Sequence, residues 1–309
     1  MNSKTLLYIV KRLLLAVLTV WVVITVTFFA TRAVPGGPFA SEKAITPAAK
    51  AALEAKYGLD KPVLEQYTTY LKDIVLHFDF GPSLKQRGRQ VIDVITDGLK
   101  TSAKLGVIAA FASLICGVVL GAIAALRRNK VIDRVIMVIT TAFVSMPSFI
   151  MGSLMLVAFS IKLAILPANG STTEGLILPV IPLALYPTAY ITRLTRSSML
   201  DVLGQDYIRT AKAKGVPGKR IIFGHALKNS LIPVITYFGP MLAYIVTGSL
   251  VVEQIFAVPG IGRAFVNSII NRDYPLIMGT TIVLAALIVI MNLVGDILYK
   301  VVDPRINLE

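Results

Sequence analysis

One cysteine, two histidines and one tryptophan in 309 residues leave little material for several kinds of chemistry. The lone Cys116 lies in an apolar run and rules out an internal disulfide, a CxxC pair and a thiolate metal site. Only His77 and His225 are present, so no HExxH motif exists. Charge is also scarce: 16% of residues are charged against 55% hydrophobic, with a mean hydropathy of +0.74. A soluble domain with a polar exterior does not have that balance. A phosphate loop is missing as well. Gly218-Lys219 has Ala213 where the first glycine would stand and Arg220 where Ser or Thr would bind magnesium, so the chain is not expected to hydrolyse ATP itself.

What is present in quantity is apolar sequence in long runs. A membrane span takes roughly 20 apolar residues, because a helix in hydrocarbon must satisfy its own backbone hydrogen bonds. Runs at about 13–30, 102–126, 135–163, 176–191, 231–252 and 276–301 predict an all-α integral membrane protein with six transmembrane helices. The first run follows Lys11-Arg12 and ends in Thr31-Arg32-Ala33-Val34-Pro35 without a small-x-small site, which reads as a retained anchor rather than a cleaved signal.

Acidic residues are outnumbered 17 to 31, giving a net charge of +14. Nucleic acid is not implied, since membrane proteins gather cations on cytoplasmic loops for topological reasons. The basic stretches Arg127-Arg128-Asn129-Lys130 and Arg193–Lys228 fall on the loops that six spans with a cytoplasmic N-terminus place inside. Both termini are then cytoplasmic, His77 and His225 fall on opposite sides, and no two-histidine metal site can form.

The stretch from Arg32 to Lys100 reads as an extracytoplasmic insertion after the first helix. Thr46-Pro47 predicts an N-cap and first-turn proline, and Gly58 a stop after Tyr57. A second helix opens at Lys61-Pro62 and places Leu64, Tyr67, Leu71 and Ile74 on one face. Within the spans, Gly117 and Gly121 form a small-xxx-small pair, while Pro147, Pro179, Pro182, Pro187, Pro233 and Pro240 interrupt helical patterns. Such features line a pathway or shape packing, and packing is the better reading for any one of them. Lys104, Lys162, Arg193 and Asp296 are expected near span ends, which speaks against a midplane ion relay.

The longest cytoplasmic loop, 196–230, contains Asp206-Tyr207-Ile208-Arg209-Thr210-Ala211-Lys212-Ala213-Lys214-Gly215. Asp206 is expected to cap a short helix, Gly215 to end it in the left-handed conformation and Pro217 to start the next. A stiff capped helix transmits a partner's movement; an ordinary basic connector has similar composition. The residues alone leave both readings open.

The core Tyr207–Gly215 with His225-Ala226-Leu227-Lys228-Asn229 resembles the EAA-type loop of bacterial ABC-importer permeases in the oligopeptide and dipeptide branch. Further stretches are similar to the B-type members of that family: Arg32-Ala33-Val34-Pro35-Gly36, Tyr57–Pro62, Phe78–Ser83, Val252–Phe256, Pro259–Arg263 and Asn271–Pro275. The resemblance implies a type I ABC-importer permease fold and a permease subunit forming half of a path for short peptides. It implies an ATPase-coupling loop of Asp206, Tyr207, Arg209, Thr210, Ala211, Lys212, Ala213, Lys214 and Gly215, with Arg209 where the generic motif has glutamate. Substrate-binding residues are not identified. Implied partners are a second, C-type permease, two ATP-binding subunits of D and F type that use ATP and Mg2+, and an extracytoplasmic peptide-binding protein. This chain is expected to hold no cofactor and to be no enzyme, in the bacterial inner membrane. The same machinery could import nickel, glutathione or murein peptides, and a self-powered transporter is the remaining alternative. Residues 1–31 are read as N-terminus and first span, 32–100 as insertion, 101–302 as a five-helix core and 303–309 as a cytoplasmic C-terminus.

Overall fold

The computed structural model describes residues 3–35, 37–39 and 46–302. Gly36 of the first family stretch and the expected C-terminal segment 303–309 lie outside the described residues, as does the side chain of Asp296. Among the described residues, structure is helical apart from one bridge between Pro82 and Gln90. In order the helices are α1 (Ser3–Ala33), α2 (Pro47–Lys56), α3 (Val63–His77), α4 (Val91–Leu126), α5 (Val131–Ser145), α6 (Ser148–Met155) and α7 (Ile177–Leu203). They are followed by α8 (Asp206–Ala213), α9 (Gly218–Arg220), α10 (Lys228–Ser230), α11 (Ile232–Val246), α12 (Leu250–Ile255), α13 (Ile261–Ile270) and α14 (Tyr274–Val302). Wider π-helical turns cover Leu156–Lys162 and Ile221–Leu227.

Among the described residues, four helical stretches are long and apolar enough to cross a bilayer: Val10–Ala33, Val91–Leu126, Glu174–Leu203 and Tyr274–Val294. Two bent pairs bring the number to six if each counts as one span. The third run is not a straight helix, because its halves Val131–Ser145 and Ser148–Lys162 meet at 102°. The cause is local: Pro147 excludes Met146 from helical geometry, and Met146 is extended at φ −90°, ψ 125°. The fifth run starts at a 49° bend at Leu231, just before Pro233, where it continues from the helical stretch Gly218–Ser230 that the sequence assigned to the loop. It ends at Val246, so its expected end at Val252 falls instead within α12, beyond a break at Gly248 with φ +96°. Pro182, Pro187 and Pro240 sit inside α7 and α11 without breaking them.

The second and fourth runs extend beyond their apolar segments. α4 starts at Val91 and α7 continues to Leu203, so Lys104 and Arg193, at the ends of the apolar segments, stand well inside the helices. No proline stops either extension, and a helix continues into polar surroundings as readily as its residues permit.

The chain divides into two compact units, Met1–Lys100 with Gly260–Val289, and Thr101–Pro259 with Ile290–Glu309. In the first, Ile24, Phe28, Ile74, Phe80, Val91, Ile95, Ile261 and Leu276 form a core. Thr46 caps α2 by accepting from Ala49 N, with Pro47 in the first turn and Gly58 at φ +64° after the end, as its sequence predicts. On α3, Tyr67, Leu71 and Ile74 pack inward, but Leu64 is 68% exposed. It lies in the first turn, outside the part of α3 that meets the core.

In the second unit α7 packs against α5, α6 and α11. Close approach of α4 is set by the two glycines: a Cβ on Gly117 would stand 2.7 Å from Ile191 Cβ, and one on Gly121 2.6 Å from the Thr192 carbonyl. Their role is packing, by letting the two helices approach.

Candidate functional site

The expected coupling loop forms a braced knob in the second unit. After Gly204, Gln205 takes the extended N-cap conformation at φ −72°, ψ 150°. Asp206 is therefore not the cap, as expected, but the first helical residue; no side chain caps this helix. Its carboxylate instead meets Arg209 at 3.4 Å, with both side chains largely exposed. Such a pair contributes little to stability.

Ile208 anchors the helix. It is fully buried and packs in a cluster with Ala125, Met199, Ile221 and Ala226, bordered by Ala211 and Val216. With Ile208 inward, helical geometry turns Asp206, Arg209, Thr210, Lys212 and Ala213 to solvent. Lys214 and Gly215 are exposed too, Tyr207 is 43% exposed, and Ala211 is half-buried.

The turn closes as the sequence indicates. Gly215 has φ +75°, a conformation that L side chains rarely adopt, and its N–H donates to the Lys212 carbonyl at 3.0 Å. Val216 N donates to the Ala211 carbonyl at 3.1 Å. Pro217 flanks the next helix as its N-cap. Asn229 Nδ2 donates to Tyr207 Oη at 2.8 Å, tying α8 to α10. The knob thus has a buried foot, a closed turn and a polar strut, with eight of the nine expected coupling residues exposed.

Sequence reasoning passed over Ile208, although it is the one large aliphatic residue in α8. It also passed over a second brace in the same unit. Arg196 Nε and Nη2 donate to the two Asp133 oxygens at 2.7 and 2.8 Å, while Asn129 N donates to Asp133 Oδ2 at 2.9 Å. The basic turn at Arg127–Lys130 is thereby tied through α5 to α7, a few residues before the knob. A carboxylate sixty residues upstream gives no local signal of that pairing.

Other stretches of the family pattern form structural anchors. In the second unit Glu253 is fully buried and accepts from Ser102 Oγ at 2.7 Å and Ser249 N at 3.1 Å. In the first, Asp273 accepts from Ser83 Oγ and from Leu84 N at 3.1 Å, and Arg272 Nη1 donates to the Pro35 carbonyl at 2.8 Å. Among the described residues, no group of three or more His, Cys, Asp or Glu could hold a metal ion.

This arrangement of helices is that of type I ABC-importer permeases. The chain is similar to a chain of the MetNI methionine ABC transporter in inward-facing form, with TM-score 0.53 and 16% identity over 68% of this chain and 97% of that one. It is also similar to a chain of an amino acid ABC transporter solved with histidines, with TM-score 0.52 and 16% identity over 70% and 95%. The family model for the inner membrane component of binding-protein-dependent transport systems matches residues 117–308, and the model for its N-terminal part matches 5–106. The chain belongs to that family and is a multi-pass membrane protein. It is 46% identical to the dipeptide transport system permease DppB of Bacillus subtilis (98% of each chain) and 44% identical to the oligopeptide transport system permease OppB of Salmonella typhimurium (97% and 99%).

Proposed function

We propose that this chain is the permease subunit of an ATP-driven importer of short peptides, and that α8 is where the ATPase moves it. The observation that carries the reading is the knob itself: buried only at Ile208, exposed at Asp206, Arg209, Thr210 and Lys212, and closed at Gly215. A short helix braced in this way transmits displacement, where a loose loop would absorb it. Full-length likeness to permeases named for dipeptide and oligopeptide transport supports peptide as cargo.

In this reading the chain is a non-catalytic half of the path. A second, C-type permease supplies the other half, two ATP-binding subunits of D and F type use ATP and Mg2+, and an extracytoplasmic binding protein delivers peptide. Both termini and residues 196–230 are cytoplasmic, and 32–100 lie outside, in a bacterial inner membrane. ATP binding drives the path between two states only through its different affinity for them.

The test is peptide uptake and peptide-stimulated ATP turnover by the reconstituted complex carrying Gly215→Pro. Proline cannot adopt the positive φ and removes the N–H bonded to Lys212, so both activities should fall together while the complex still assembles. Survival of both would remove α8 from the coupling path. Transport by the purified chain alone would overturn the importer reading.

A further inference from the structure

Far along the chain from the knob, a cavity of about 250 Å3 lies wholly within the first unit. Phe28, Arg32, Tyr70, Phe80, Tyr274 and Met278 are among its walls. Its volume is just under the roughly 300 Å3 at which small-ligand sites usually begin.

The guanidinium of Arg32 and two phenols near it are donors, and the Phe28 carbonyl accepts from Arg32 Nη1 at 3.4 Å. That guanidinium lies 3.3 Å from the Phe28 ring centroid, its Nε donates to Gln66 Oε1 at 3.0 Å, and no carboxylate pairs with it among the described residues. Gln66 is held in that orientation because its amide nitrogen donates to the carbonyls of Leu59 and Lys61 at 3.2 and 2.8 Å. Tyr274 is 6% exposed, and the hydroxyls of both Tyr70 and Tyr274 are sealed from solvent with no hydrogen-bond partner among the described residues. Burial pushes the Tyr70 phenol up, and the Arg32 charge offsets this only in part, so Tyr70 remains a protonated donor at neutral pH. Buried hydroxyls are normally paired, so two unpaired ones beside one cation are an exception to be explained.

We propose that this cavity binds the carboxylate of a small apolar organic acid or peptide C-terminus. Arg32 supplies the countercharge, the Tyr70 and Tyr274 rings swing to bring their otherwise sealed hydroxyls onto the carboxylate oxygens, and Phe28, Phe80 and Met278 contact the apolar body. A monoanion fits better than a dianion, because Arg32 is the one enclosed cation among the described residues that line the cavity. Lys61 is exposed and already bonded to Glu65 at 2.9 Å, and two carboxylates, Asp73 and Asp79, also line the cavity. Asp73 and Asp79 are solvent-accessible and give a free amino group a favourable place. The proposal does not depend on the role of α8, since it concerns ligand binding by the chain itself.

The experiment is calorimetric titration of the purified full chain in lipid nanodiscs with N-acetyl-leucine, the dipeptide Ala-Leu and N-acetyl-leucinamide. The acids should bind, and the uncharged amide at least about tenfold more weakly, as expected when a charge-assisted bond is lost. Tighter binding of Ala-Leu assigns a peptide terminus and tighter binding of N-acetyl-leucine a free acid; either supports the site. The Tyr70→Phe/Tyr274→Phe double variant should weaken the acids about tenfold while leaving the ligand-free melting temperature unchanged or higher. Equal binding of acid and amide, no binding at about 10 mM, or a destabilised ligand-free double variant would each overturn the proposal. Displacement of the acids by phosphatidylglycerol, with that lipid bound more tightly than either, would overturn it in favour of a lipid site.

Discussion

Asp133 and Arg196 are joined through both carboxylate oxygens, with the Asp133 side chain 4% exposed and the Arg196 side chain 24%. Removing one partner leaves the other's charge in a mostly enclosed place, and the solvent that reaches Arg196 limits the penalty. Asp133→Ala and Arg196→Ala are each expected to lower stability by roughly 1–3 kcal/mol. The double variant should lose less than the sum of the two, by about 1 kcal/mol. Thermal unfolding of the four proteins in one detergent measures this, and strict additivity would show that the contact is energetically idle.

Gly121 has no room for a side chain. A Cβ there meets the Thr192 carbonyl and Thr195 Cβ at 2.6 Å, and the backbone cannot yield as a flexible side chain would. Gly121→Ala should cost about 1–3 kcal/mol, and Gly121→Val more. Gly204→Ala is the control, because its nearest neighbour is an ordinary 3.4 Å away and its φ is −81°. Melting temperatures should separate the two sites clearly; similar shifts would contradict the close approach of α4 to α7.

Ile208→Ala removes the foot of the knob. A fully buried isoleucine contributes about 2–4 kcal/mol to its local packing, so α8 should loosen while the distant core stays formed. Hydrogen exchange over 206–216 is expected to quicken with little change elsewhere. In the reconstituted complex ATP turnover should become less dependent on peptide. Arg209→Ala, by contrast, should leave stability within about 0.5 kcal/mol. An Ile208→Ala protein with unaltered exchange in that window would mean the knob is held by other contacts.

Asp273 gathers donors from two elements. It accepts from Ser83 Oγ, from Leu84 N at 3.1 Å and, more weakly, from Leu276 N at 3.4 Å, and is 1% exposed. Asp273→Ala should destabilise the first unit by about 2 kcal/mol or more, by leaving buried donors unpaired. Asp273→Asn retains one acceptor oxygen and should lose less. Amide exchange at 83–86 is the direct reading, and equal effects of the two substitutions would argue against the hydrogen bonds as the cause.

Legibility in the sequence followed the range of the interactions. The caps of α2, the left-handed Gly215 and the six apolar runs are local properties, and each was readable from a few adjacent residues. The Gly117 and Gly121 pair was readable as close packing because its spacing matches a helical turn. Helix ends were harder: α4 begins at Val91 and α7 runs to Leu203, since hydropathy marks where a helix is apolar and not where it stops. The break at Pro147 was legible as an interruption, but its 102° angle was not, because Pro182 and Pro187 occur within an unbroken helix.

The amino-acid sequence by itself determined that this chain is a helical membrane protein with a short helix in a basic loop, closed by a left-handed glycine, because hydropathy, charge and turn chemistry act over neighbouring residues. Only the tertiary structure decided that Ile208 anchors that helix, that Asp133 holds Arg196, and that Arg32 lies beside two unpaired phenols. Those relationships join residues far apart in the chain, and their energies exist only once packing excludes water from between them.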